Sequence, residues 1–278
     1  MKLLTEDVKH AESPRWYDEK LWFSDVHDHK VKTIDLGGEI RTVVATPGIR
    51  PSGLGRVPDG RWLLVTSTDR KLNWITGGGL EEACDLSSLA EGVVTDMVVD
   101  GRGRAYVSDN GFDHGAGEEP RPGQVILFTE ADGARVVATD TNYSNGCAVS
   151  PDGSRFYLAE SFGECVTAFD IEPDGSLSNR RPFAEFGTLT DGICLDAGGG
   201  MWVGLPTASE FVHLDPDGEI DQRLETPGRM ATACVLGGPE LRTLFACSVY
   251  SSPEDLSRGR ATGVIEVEEV VSPAAGWP

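Results

Sequence analysis

Asn145-Gly-Cys-Ala-Val-Ser-Pro-Asp-Gly153 and Asp191-Gly-Ile-Cys-Leu-Asp-Ala-Gly-Gly199 are two copies of one pattern. Each opens on a polar residue and a glycine, runs through apolar residues and closes on a glycine-containing turn. Four further windows, at 12–20, 52–60, 95–103 and 232–240, align with them without gaps. Successive window starts are 40, 43, 50, 46 and 41 residues apart. Repeats of that length, each carrying several short strands, predict a β-propeller. Six windows predict six blades. The expected fold is therefore all-β, a six-bladed β-propeller with four-stranded antiparallel blades around a central channel, occupying 1–278 as a single domain. The opening residues Glu12, Ser52, Thr95, Asn145, Asp191 and Thr232 then share an equivalent position at one end of the channel.

The rest of each blade follows from strand and turn chemistry. After the windows come β-branched and aromatic runs at 21–26, 61–67, 104–109, 155–161, 200–206 and 243–249. A second set follows at 30–36, 71–76, 124–129, 165–171, 210–214 and 263–269. Many are separated by Asp-Gly pairs, as at Asp59-Gly60, Asp152-Gly153 and Asp217-Gly218, which suit tight hairpins. Small second-position residues (Gly53, Gly146, Gly192 and Ala233) relieve crowding near the axis. Asp96 breaks that pattern, as an interblade hydrogen-bond partner or a site residue. The run at 261–269 is expected to share a blade with the first residues, or lie beside it, closing the ring. No long amphipathic helix is expected; the stretch 82–91 has room for one turn.

The chain holds 24 Lys and Arg against 45 Asp and Glu, a net charge of −21. This argues against nucleic acid and anionic membrane as partners and leaves a small-molecule substrate as the expected one. The opening residues lack a signal-peptide apolar core, and no run approaches a membrane span. The six cysteines form no Cys-x-x-Cys pair and several sit inside strand runs, so they read as buried small hydrophobes. A cytoplasmic monomer or small homo-oligomer is expected.

Glu12, Asn145 and Asp191 are strong ligands for hard cations. Two carboxylates and an amide oxygen at one register suit Ca²⁺, Mg²⁺ or Mn²⁺; Zn²⁺ or Fe²⁺ would usually bring a histidine. Such an ion would polarise a carbonyl or phosphoryl oxygen and orient a water, with Asp191 or Asp96 as base.

The stretches Glu12-Ser-Pro-Arg-Trp16, Arg50-Pro-Ser-Gly-Leu-Gly55, Asp96-Met-Val-Val-Asp100, Ser144-Asn-Gly146, Tyr157-Leu-Ala-Glu-Ser161 and Thr190-Asp-Gly-Ile-Cys-Leu195 together resemble the senescence marker protein-30/gluconolactonase/luciferin-regenerating-enzyme-like family. Phe245-Ala-Cys-Ser248 and the closing Gly276-Trp-Pro278 fit as well. The family is related to diisopropylfluorophosphatase and includes sugar lactonases. The resemblance implies a six-bladed propeller with one catalytic divalent metal, ligands at Glu12, Asn145 and Asp191, and a base or nucleophile role for Asp191. The chain departs from the pattern twice. Thr95 stands where the family commonly has Asn, and Val93 where sugar-lactone members carry Arg.

Several other candidates have plainer readings. His27-Asp28-His29 falls at an expected outer turn and reads as a polar turn. His114 lies in the irregular stretch 110–123, either a lid with a part in specificity or a passive excursion. Arg50, beside Ser52, would reach an anionic substrate group or form a surface salt bridge. Trp16, Trp22, Trp62, Trp74 and Trp202 read as core. Gly77-Gly-Gly79 lacks the strand-to-helix context of a phosphate loop, and there is no Gly-x-Ser-x-Gly elbow. The expected function is a metal-dependent lactonase, with catalysis by Asp191 and Asp96 and substrate contacts from Thr95, Arg50, Ser52 and His114. The alternatives are phosphoester or organophosphate hydrolysis, a lactone-metabolite lyase or isomerase, and a non-catalytic binding propeller.

Overall fold

The computed structural model describes residues 1–276; Trp277 and Pro278 of the closing motif lie outside the described residues. Six four-stranded antiparallel sheets form the ring. Blade one covers 11–45, blade two 51–85, blade three 94–141, blade four 144–185 and blade five 193–225. Blade six takes three strands from the C-terminal part, Met230–Gly237, Thr243–Tyr250 and Thr262–Glu269, and its outermost strand, Lys2–Val8, from the N-terminus. Lys2 pairs with Val267 and Val8 with Gly263, so the chain's two ends close the ring as expected.

The innermost strands are Ala11–Tyr17, Pro51–Arg56, Val94–Val99, Ser144–Val149, Ile193–Leu195 and Met230–Gly237. In five of them the pairing register shifts just after the strand opens: between Glu12 and Arg15, Pro51 and Leu54, Val94 and Met97, Ser144 and Cys147, and Ala231 and Ala233. A bulge of this kind bends the strand and re-aims the side chains before it. In blade five, Asp191 and Gly192 precede the strand and pair irregularly, with Asp191 N donating to Gly204 O and Gly204 N to Gly192 O. The repeated window is therefore a repeated bulge, and the bulge turns the opening residues toward the channel.

The second-position glycines sit where the sequence placed them. A methyl group on Gly146 would lie 2.5 Å from Asp191 O, one on Gly192 2.7 Å from Ala233 Cα, and one on Gly53 2.8 Å from Met97 N. Each meets the backbone of the next blade. Behind the axis, six buried apolar clusters among the described residues fill the six interfaces between neighbouring blades. Trp202 and Trp62 are buried there, while Trp16, Trp22 and Trp74 are partly buried against the same clusters. All six cysteines are free thiols, four of them buried.

The stretch 82–91 holds the end of the strand Gly79–Asp85 and one backbone turn closed by Ala90 N donating to Leu86 O. The helix lies elsewhere, at Pro253–Ser257, where Ser252 caps Asp255 N and Pro253 takes the first turn. Among the described residues, no helix is long and apolar enough to cross a membrane.

Candidate functional site

A cavity of about 240 Å³ occupies one end of the channel. Five of the six opening residues line it: Glu12, Ser52, Thr95, Asn145 and Asp191. The sixth, Thr232, is fully buried, and its hydroxyl donates to Cys247 O at 3.2 Å. Asp96, Arg50, Val93 and His114 also reach the cavity. The apolar part of the remaining wall includes Val26, Tyr143, Phe162, Leu189, Pro206 and Met230.

Asn145 is held by its amide nitrogen, which donates to Ser161 Oγ at 3.2 Å and hydrogen-bonds the Asp191 carboxyl. Ser161 in turn donates to Thr190 O at 2.7 Å, tying the residue before Asp191 to blade four. With its nitrogen engaged twice, Asn145 is left with Oδ1 as its acceptor. The Asp191 carboxyl is pushed well above the usual carboxylate range by burial, then by the charges of Glu12 and Asp96. The Asn145 hydrogen bond acts in the opposite direction.

Asp96 makes the interblade hydrogen bonds of one reading and also borders the cavity. It accepts Ser13 Oγ from blade one at 2.6 Å and Met97 N at 2.7 Å, and Cys147 N from blade four reaches it at 3.3 Å. Arg15 lies 3.8 Å away. Burial raises its carboxyl against the pull of Arg15, Ser13 and the Met97 N–H. Thr95 donates to Asn110 Oδ1 at 2.9 Å, with a longer contact to Ser144 O at 3.4 Å.

Among the described residues, no three His, Cys, Asp or Glu side chains are grouped to hold a metal by themselves. The expected set includes only two such residues, Glu12 and Asp191, with the amide of Asn145 as the third. Its fit to a cation rests on charge. Three carboxylates, Glu12, Asp96 and Asp191, face one partly enclosed space, with Arg15 the nearest cation to Asp96. Burying such charge without a compensating cation is costly. The oxygen donors are hard and match a divalent ion.

The sequence reading missed three contributors. His10 and His27 both line the cavity, with ring centroids 5.0 Å apart. Nε2 of His27 and both ring nitrogens of His10 are buried without a hydrogen-bond partner. His10 Nε2 is 2.7 Å from Glu12 Oε1, but the alignment is not that of a hydrogen bond, so proximity alone links them. The His27–His29 turn is thus no outer turn; it stands at the channel end and sends His27 inward. Asn110, buried at the end of the second strand of blade three, brings a second amide beside Thr95. Its signal was the Asp109-Asn110 pair ending that strand. The stretch 110–123 does border the cavity, through Asp113, His114 and Gly115.

The fold and the site define a class: propellers with oxygen donors gathered at one end of the axis. The chain belongs to the SMP-30/Gluconolactonase/LRE-like family, whose model matches residues 10–250. It is 28% identical over 162 residues to a 6-deoxy-6-sulfogluconolactonase of Pseudomonas putida, and that match spans 56% of each protein. It is 26% identical over 273 residues to regucalcin of Xenopus laevis, covering 91% of this chain and 87% of the other. A solved luciferin-regenerating enzyme shares the fold at a TM-score of 0.84 and 17% identity, covering 98% of this chain and 96% of the other.

Proposed function

We propose that this protein is a divalent-metal-dependent hydrolase that opens a lactone ring in the propeller channel. The observation carrying this reading is the convergence of Glu12, Asn145 and Asp191, from three blades, on one cavity where burial and neighbouring carboxylates push the Asp191 carboxyl up. The similarity to a sulfogluconolactonase supports a sugar or related small lactone as the substrate class. The all-oxygen donor set favours Ca²⁺, followed by Mg²⁺ and Mn²⁺, over the softer Zn²⁺ or Fe²⁺.

A divalent ion held by Glu12, Asn145 and Asp191 would polarise the lactone carbonyl and make a nearby water more acidic. Ionised beside that cation, Asp191 would accept the proton of the attacking water. Asn145, fixed through Ser161, presents its oxygen in one orientation. Asp96 has both oxygens engaged by Ser13, Met97 N and Cys147 N, so it positions the site and sets the field at Asp191. Thr95, Ser52 and His114 border the substrate. Addition of one water yields a hydroxy acid, which ionises near neutral pH and releases one proton.

Asp191→Asn is expected to lower the rate of proton release from a lactone by about 10²- to 10⁴-fold, the range for a positioned acid or base. Its circular dichroism should remain that of the wild type. Near-normal turnover in this variant would overturn the reading. A non-catalytic metal- or small-molecule-binding propeller is the second reading, favoured by Thr95, whose hydroxyl is engaged by Asn110.

A further inference from the structure

The two halves of the cavity wall differ in chemistry. Blades one to three and their connections bring the histidines, Arg50, Ser52, Thr68 and Asp113. Blades four to six bring few polar side chains, and those are already engaged. Ser161 Oγ donates to Thr190 O at 2.7 Å and receives the Asn145 amide. Thr190 is buried, and its hydroxyl donates to Cys165 O at 3.2 Å. The Tyr143 hydroxyl is hydrogen-bonded to Asn110. Asn145 and Asp191 belong to the reacting end. What remains on this half is Phe162, Leu189, Pro206, Met230, Pro253 and Leu256. Phe162 is the open member of a fixed aromatic group. It is 44% exposed, and its ring centroid lies 4.6 Å from that of Tyr143. Both rings pack on the buried Phe112, at 6.0 and 5.2 Å. Phe162 N donates to Asn142 O at 3.2 Å and Ser161 N to Tyr143 O at 3.0 Å. Tyr143 has a φ of 65°, a left-handed conformation that bulky residues seldom adopt and that persists where the surroundings impose it, often at functional sites. Because Ser161 also holds Asn145, the aromatic pair stands in a fixed relation to the acidic end.

Resting on the lactone-hydrolase reading, we propose that the substrate is a lactone carrying an apolar substituent, an alkyl chain or an aryl ring, which lies on Phe162 while the ester sits at Glu12, Asn145 and Asp191. A hydroxyl-rich substituent placed on this half of the wall would give up its water and meet side chains whose hydrogen bonds are already made. Such losses oppose binding. An alkyl or aryl group has no hydrogen bonds to lose, and it covers the ring face of Phe162 and the side chain of Leu189. Phe162 is therefore the specificity-determining residue. It touches the substituent and takes no part in the proton transfer at Asp191.

The test compares three lactones of one ring size, glucono-1,5-lactone, δ-valerolactone and δ-decalactone, on wild type, Phe162→Ala and Phe162→Leu supplied with divalent ions. Binding of the products 5-hydroxypentanoate and 5-hydroxydecanoate is measured alongside by calorimetry. Wild type is expected to favour δ-decalactone over both other lactones in kcat/KM by about tenfold or more, as burial of a few methylenes gives. Phe162→Ala should cut the δ-decalactone to δ-valerolactone ratio by about fivefold or more, mainly through KM, and Phe162→Leu, still apolar, should keep most of it. Preference of the wild type for glucono-1,5-lactone, or a ratio unchanged by Phe162→Ala, would overturn the proposal while leaving the lactonase reading intact. Silence on every lactone would instead fail the lactonase reading, and product binding would then decide. Tighter binding of the longer product, lost in Phe162→Ala, sustains the apolar subsite; equal binding of both products overturns it.

Discussion

His27 shows how a single side chain acquires its chemistry from its surroundings. Burial, then the neighbouring charges of His10, Arg50 and His29, lower its pKa from about 6.5 to about 3. Between those values the unfolded chain binds the proton and the folded chain resists it. The contribution of neutral His27 is therefore fully present above pH 6.5 and is lost progressively as pH falls toward 3. His27→Gln should flatten that part of the acid limb of Tm against pH, with little change above neutrality. An acid limb of unaltered slope would contradict the placement of His27 as buried and neutral. Nothing in the sequence His27-Asp28-His29 announces this role. The turn is polar, and only the closed ring shows that one of its histidines faces the axis.

At the scale of the element, the innermost strand decides the site. Its bulge aims Glu12, Ser52, Thr95 and Asn145 into the channel, and its second-position glycine lets the next blade approach. Gly146→Ala would push a methyl group to within 3 Å of three backbone atoms, Asp191 O, Gly192 Cα and Ile193 N. It should cost about 1–3 kcal/mol or more in stability, as overpacking against an unyielding neighbour does. Because the backbone displaced belongs to Asp191, lactone turnover should fall in the protein that remains folded. Urea unfolding and specific activity measure the two effects, and unchanged values would contradict the interblade contact. The inner three strands were legible in sequence because apolar residues bury them on both faces. Cys165–Ile171, Lys71–Thr76 and Glu210–Leu214 match their expected bounds. The outermost strands gave no comparable signal. Ile220–Glu225 and Ile40–Ala45 are mostly exposed and read as polar sequence. Three buried acids at the ends of second strands were also silent. Asp25 accepts Lys9 N and His10 N, Asp109 accepts Glu91 N and Gly92 N, and Glu160 accepts Asn142 N. Each anchors the connection entering its blade, a long-range pairing that no local pattern reveals.

Over the whole molecule, the ring converts a one-dimensional repeat into a convergent site. The N-terminal strand completes blade six, and the six interface clusters hold the blades at a common radius. Glu12, Asn145 and Asp191, separated by more than a hundred residues from first to last, then face one space. A cation there would bridge blades one, four and five. Five of the six opening residues were legible as cavity-facing from their shared register alone. Thr232 was expected with them and is the exception: it is fully buried, and its hydroxyl donates to Cys247 O. The central claim is that these oxygens hold a divalent ion on which lactone opening depends. The most direct measurement is proton release from sugar and aliphatic lactones by chelated protein, re-supplied separately with Ca²⁺, Mg²⁺, Mn²⁺, Fe²⁺ and Zn²⁺. The account predicts loss of turnover on chelation and its return with a divalent ion, Ca²⁺ foremost. Full turnover in protein stripped of metal, or a tightly bound ion with no lactone opened, would contradict it.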